Sequence, residues 1–167
     1  ILTVMGEPRL KAMVNSVDSV LPRLADLLRY WRTIIRSGLI GVFIGILPGV
    51  GEDMAAWSSY AAAKRASRER EQFGKGSVEG LIAAETGDNA AIPGALIPAL
   101  ALGIPGSAPA AVLMAAMIIH GAQPGPMLMI NQPQFIYDVV GITLVATLAM
   151  LLFGLILVRP ILWVLRV

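Results

Sequence analysis

One corner is written twice in this chain, both times in apolar surroundings: Ile44-Gly45-Ile46-Leu47-Pro48-Gly49-Val50-Gly51 and Leu102-Gly103-Ile104-Pro105-Gly106-Ser107. Each copy follows a short apolar run and precedes small, helix-compatible residues. Proline and glycine together stop a helix, and the chain then restarts one. At membrane depth such a stop strips backbone groups of partners that lipid cannot supply. It persists only where protein buries it or where it lines a polar cavity. Two matched breaks in separate hydrophobic segments are the pattern of a substrate site between discontinuous helices of a secondary transporter. A kinked scaffold helix is the plainer reading of a single break, and the repetition weighs against it.

The surroundings fit that environment. Hydrophobic residues make up 56% of the 167 and charged residues 14%, where a soluble domain carries about a quarter charged. No Asp, Glu, Lys or Arg occurs from Asn89 to Tyr137, and the 20 residues from Val139 to Val158 are again free of charge, the length of a bilayer's hydrocarbon core. The expected class is all-α integral membrane: two Pro-Gly-broken helices or re-entrant hairpins plus one plain transmembrane helix. Without cysteine, disulfides and thiolate metal sites are excluded. The 13 basic residues against 11 acidic ones lie beside apolar segments, which suits a lipid bilayer and not nucleic acid. The chain opens at Ile1 without a signal-peptide pattern and closes at Val167 just after an apolar segment, so it reads as a piece of a longer polypeptide.

Along residues 1–36, Leu21, Leu24, Leu27, Leu28, Trp31, Ile34 and Ile35 recur at helical spacing beside Arg23, Arg29, Arg32 and Arg36. That is an amphipathic helix, lying either on the membrane surface or on a neighbouring domain. Residues 37–63 form the first broken segment, in which Gly41, Gly45 and Gly49 recur every fourth position and permit close helix–helix approach. Residues 64–76 are a polar, basic loop, cytoplasmic by the positive-inside rule. With the N-terminal arginines on that same side, the first segment is a re-entrant hairpin with its tip at Pro48–Gly51; a single discontinuous spanning helix is the alternative. Residues 77–120 hold a polar stretch to Ala91 and then the second broken segment. Residues 121–138, rich in Pro, Gly and Gln, read as a loop, and residues 139–158 as the spanning helix, ended by Arg159 and Pro160. Residues 159–167 are the cut end.

Three places carry chemistry. At the second tip Ser107 is a helix N-cap with Pro109 in the first turn. The restarted helix then offers several free N–H groups and a positive dipole end at Gly106–Ser107, which binds carboxylate or phosphate without a basic side chain. The helix arriving at Gly103 ends in carbonyls that suit sodium. At the first tip Gly51 caps a helix whose first turn holds Glu52 and Asp53. Those carboxylates are stabilised by the dipole yet repel an anion, so they face solvent or serve a coupling cation or proton; simple helix capping is the structural alternative. The third place is Glu85-Thr86-Gly87-Asp88-Asn89, ionisable residues where a membrane makes them expensive. Asn89 suits a carboxylate or a sodium shell, and a solvated interfacial stretch is the alternative. Elsewhere the motifs fail. Gly49-Val50-Gly51 has Met54 where a dinucleotide fingerprint needs its third glycine, and Gly74-Lys75-Gly76-Ser77 lacks phosphate-loop spacing. The single His120 builds neither a multi-histidine metal site nor a Ser-His-Asp triad. The charge-free spans hold no catalytic pair, so no enzyme and no cofactor beyond a coupling ion is expected.

These same residues resemble the large membrane subunit of the tripartite tricarboxylate transporters. The likeness runs through Gly41 to Gly51, Tyr60 to Lys64, Phe73-Gly74-Lys75-Gly76 with Glu79-Gly80, and Glu85 to Ala90. It continues through Leu102 to Ser107 and His120-Gly121 with Gln123 to Pro126. The stretch from Gly38 to Met127 keeps the family's order and resembles part of the second half of such a subunit. The resemblance implies uptake of a carboxylate across the bacterial inner membrane, coupled to sodium or protons. It implies two partners: a small membrane subunit and a periplasmic substrate-binding protein. The family's tips fall on Pro48, Gly49 and Gly51, and on Gly103, Pro105, Gly106 and Ser107; its asparagine falls on Asn89. Glu52, Asp53 and Asp88 depart from the family's pattern and add negative charge, which favours a smaller or protonated acid or another coupling ion. A channel-like or purely structural subunit is the rival reading.

Overall fold

The structure, a computed structural model, describes residues 28–165. The surface helix expected in residues 1–36 therefore lies, up to residue 27, outside the described residues. Among those described the fold is all-α, without a strand. Leu27–Val139 forms one compact unit, and from Val140 onward the chain belongs to a second.

Within the first unit, α1 (Trp31–Gly45) and α2 (Glu52–Ala66) run back along each other and both pack on α3 (Val78–Leu102). The pairing is antiparallel: Ser59, on the arm leaving the tip, donates its hydroxyl to the carbonyl of Ser37, on the arm entering it, at 3.4 Å. Farther from the tip, Arg29 pairs with Glu69 at 2.7 Å. Both ends of this segment thus lie together, the arrangement of a hairpin and not of one broken rod. α1 begins at Trp31 and leaves no boundary at residue 36, because the apolar spacing that suggested a surface helix continues into the glycine-bearing stretch.

Small residues set how closely these helices approach. Side chains on Gly41 and Gly45 would run into the carbonyls of Gly87 and Ala91, and one on Gly87 would meet the Ser59 hydroxyl. The buried core here is Ala55, Ala63, Ala83 and Ala91 with Ser37 and Ser59, while Leu39, Phe43, Trp57 and Leu81 stay exposed. Large apolar residues outside and small ones within is how helices pack where the surroundings are themselves apolar. The expected role of the glycine repeat holds at positions 41 and 45. At the hairpin base the Glu79 carboxylate accepts from the Thr33 and Ser67 hydroxyls, each at 2.6 Å, and so joins all three helices.

α3 takes in both the polar stretch and the start of the second apolar segment, which the sequence reading separates. Pro93 and Pro98 lie inside it; each lacks the N–H that would reach the carbonyl four residues back, at Asn89 and Gly94. Beyond it come α4 (Ala108–Ile119) and α5 (Pro126–Asn131). Leu100, Met117, Ala122, Leu128 and Val139 form a second core there. The 121–138 loop is in part helical because Pro126 sits in the first helical turn, where its fixed φ starts a helix and does not break one. α6 (Pro133–Leu165) is long and apolar enough to cross a membrane over Pro133–Val158. It does not end at Arg159–Pro160: an apolar helix tolerates the one bond that Pro160 withholds and runs on.

Candidate functional site

The two proline–glycine corners meet. Gly49 donates its N–H to the carbonyl of Gly106 at 3.2 Å, one tip bonding the other through main chain alone. Gly106 is pressed between α1 and α3: a Cβ there would lie 2.6 Å from the Gly45 carbonyl oxygen and 2.8 Å from the Ala95 Cα. Gly49 and Gly51 have φ of 75° and 79°, the left-handed region that a side chain disfavours. Around this contact Pro48 and Gly49 are exposed, whereas Gly106 and Ser107 are buried.

The two restarted helices differ at their first turns. Ser107 caps α4, its Oγ accepting from the Ala110 N–H at 3.4 Å, and its carbonyl accepts from Ala111 at 3.0 Å. Pro109 has no N–H, so the several free amides expected at the second tip reduce to that of Ala108 in the first turn. The expected open carbonyls before this tip are mostly filled as well. Those of Pro98, Ala99 and Leu100 accept from Ile104, Gly103 and Gly125 at 3.2, 3.2 and 3.0 Å. Ala101 keeps an open carbonyl because its helical donor would be Pro105. The first tip is the more open one. Gly51 supplies no side-chain cap to α2, and Glu52 and Asp53 occupy that first turn, where the dipole favours carboxylates. Asp53 is exposed; Glu52 is half-buried, and its Oε1 is shielded from solvent without a hydrogen-bond partner among the described residues.

The third cluster does not gather at the tips. Glu85 and Asn89 are exposed, half a helical turn away from Gly87 and Ala91, the positions that receive α1. Asn89 donates its amide to the Glu85 carbonyl at 2.9 Å. Thr86 approaches the hairpin at Gly38, and Asp88 is half-buried. Among the described residues no three acidic or histidine side chains converge on one point. The hydroxyl–carboxylate group of Thr33, Ser67 and Glu79 escaped the sequence reading because its partners lie 46 and 12 residues from Glu79. A lone glutamate at the edge of an apolar helix was the available signal.

The Ser107 cap gives a measurable expectation. Ser107→Ala lowers the stability of the intact protein by about 1 kcal/mol, read as a small fall in its thermal unfolding midpoint in detergent; an unchanged midpoint would deny the cap any weight.

Over residues 2–167 the chain matches the tripartite tricarboxylate transporter TctA family. The chain belongs to that family. Two curated relatives come from Agrobacterium vitis. An uncharacterized 52.8 kDa protein in the TAR-I ttuC' 3' region is 34% identical over 139 residues, which is 83% of this chain and 27% of that protein. An uncharacterized protein in the TAR-II ttuC' 3' region is 34% identical over 124 residues, 74% of this chain and 50% of that protein. The chain thus spans a quarter to a half of the curated relatives it matches. No solved structure matches it. TctA is a transporter family and not a class of enzymes, which agrees with the long apolar α6 and with a place in a membrane.

Proposed function

We propose that this chain is the substrate-holding part of a carboxylate importer of the bacterial inner membrane, with the paired tips gripping the acid. What supports the reading is the Gly49–Gly106 contact: two chain breaks that meet make one polar spot in apolar surroundings. Pro48, Gly49, Gly51, Gly103, Pro105, Gly106 and Ser107 frame it. The open amide end of α2 and the Ala108 N–H supply donors for a carboxylate. Glu52 and Asp53 would repel that anion unless a cation accompanied it, so the coupling ion, sodium or a proton, binds beside them. Substrate and ion then depend on each other, which is symport. Thr86, Glu85, Asp88 and Asn89 form a second polar surface on α3. The 64–76 loop faces the cytoplasm. A periplasmic binding protein delivers the acid, and a small membrane subunit completes the assembly. Transport follows from moving the tip-bearing body against a scaffold.

The test is uptake of labelled di- and tricarboxylates into proteoliposomes holding the intact transporter and its binding protein, under an imposed sodium or proton gradient. Accumulation above the external concentration that vanishes with one of the two gradients is expected. Equilibration without accumulation would favour the rival, a channel-like subunit.

A further inference from the structure

A second polar feature lies at the other end of the hairpin, apart from the tips. We propose that the cleft at the hairpin base binds the phosphate of an anionic phospholipid. The cleft encloses about 620 Å³ and is lined by Arg29, Arg32, Arg36 and Arg68 together with Glu69 and Glu79. Four arginines thus face two carboxylates, and both carboxylates already have partners, though Glu79 keeps its charge. Glu69 takes the Arg29 guanidinium, and the Glu79 carboxylate oxygens take the Thr33 and Ser67 hydroxyls. Arg32, Arg36 and Arg68 have no carboxylate partner among the described residues. Arg36 is the telling one: its Nε is shielded from solvent and has no acceptor there. A buried guanidinium donor without an acceptor is costly, and a phosphate, which a guanidinium meets with parallel N–H bonds, supplies one.

Free phosphate shares that headgroup chemistry, but the flanks favour a lipid. Leu28, Trp31, Ile35 and Leu39 stand exposed at three- and four-residue spacing along one side of the chain entering and forming α1. They offer an apolar strip beside the cleft for an acyl chain. Tyr30 and Trp31 lie under the Arg29 and Arg32 guanidinium groups at 5.3 and 5.4 Å, the aromatic–basic pairing of a membrane interface. Basic pockets of this kind on a cytoplasmic face hold anionic headgroups.

The experiment is lipid retention by the intact protein, extracted from vesicles of phosphatidylglycerol and phosphatidylcholine and counted by native mass spectrometry. Phosphatidylglycerol is expected to be retained over phosphatidylcholine. Arg36→Gln and Arg68→Gln should each cut that retention by about ten-fold, the loss of one charge-assisted contact; Arg65→Gln, outside the cleft, should leave it intact. Arg68 is exposed, so its variant stays informative where Arg36→Gln fails to fold. Equal retention of the two lipids, or of phosphatidylglycerol by Arg68→Gln and the wild type, overturns the proposal. Displacement of the lipid by excess inorganic phosphate overturns the lipid as occupant.

Discussion

Gly106→Leu cuts uptake by the intact transporter at least about ten-fold while leaving it in the membrane at near-normal abundance. The reason is local. Even the first side-chain carbon would sit 2.6 Å from the Gly45 carbonyl oxygen and 2.8 Å from the Ala95 Cα, both backbone atoms of packed helices. Such overpacking costs about 1–3 kcal/mol and is relieved by displacing the chain. Displacing the corner that carries Gly106 breaks the 3.2 Å bond from Gly49. A fall in initial uptake rate of at least about ten-fold, the equivalent of 1.4 kcal/mol, is expected. Normal uptake by a correctly inserted Gly106→Leu protein would remove the tips from the transport mechanism.

The second large effect lies at the opposite end of the hairpin. Glu79→Ala deletes the acceptor of two 2.6 Å hydroxyl bonds, from Thr33 on α1 and from Ser67 just past α2. Hydrogen bonds to a charged group contribute about 1.5–3 kcal/mol each, and Glu79 is only half-buried, so a combined loss of about 3 kcal/mol is expected. It should appear as a lower unfolding midpoint in detergent and as faster proteolysis between Ser67 and Ser77, where the loop loses its anchor. Glu79→Gln, which still accepts from one hydroxyl, should recover part of the loss. An unchanged midpoint and cleavage rate in Glu79→Ala would show that the helices hold together through small-residue packing alone.

The fold was legible where physics is local. Pro48-Gly49 and Pro105-Gly106 announce breaks by stereochemistry, the Gly41–Gly45 spacing announces close approach, and Ser107 with Pro109 announces a cap. Proline was the less dependable marker elsewhere. Pro93, Pro98 and Pro160 continue helices and Pro126 begins one, because tertiary packing and apolar surroundings outweigh a single missing donor. Long-range partners were beyond reach. Nothing near Glu79 names Thr33, and nothing near Gly49 names Gly106. The placement of Asn89 and Glu85 on an outward side of α3 depends on which face the hairpin takes, and α3 has small residues on more than one face.

The bond joining the two corners is made of atoms that every amino acid possesses. Its chemistry is therefore indifferent to which side chains surround it, and a mutation disturbs it only by bending the path of the chain. If the proposed site holds a ligand, its preference would then be set by neighbours such as Glu52 and Asp53. Architecture and selectivity at this spot can consequently be tuned apart from one another.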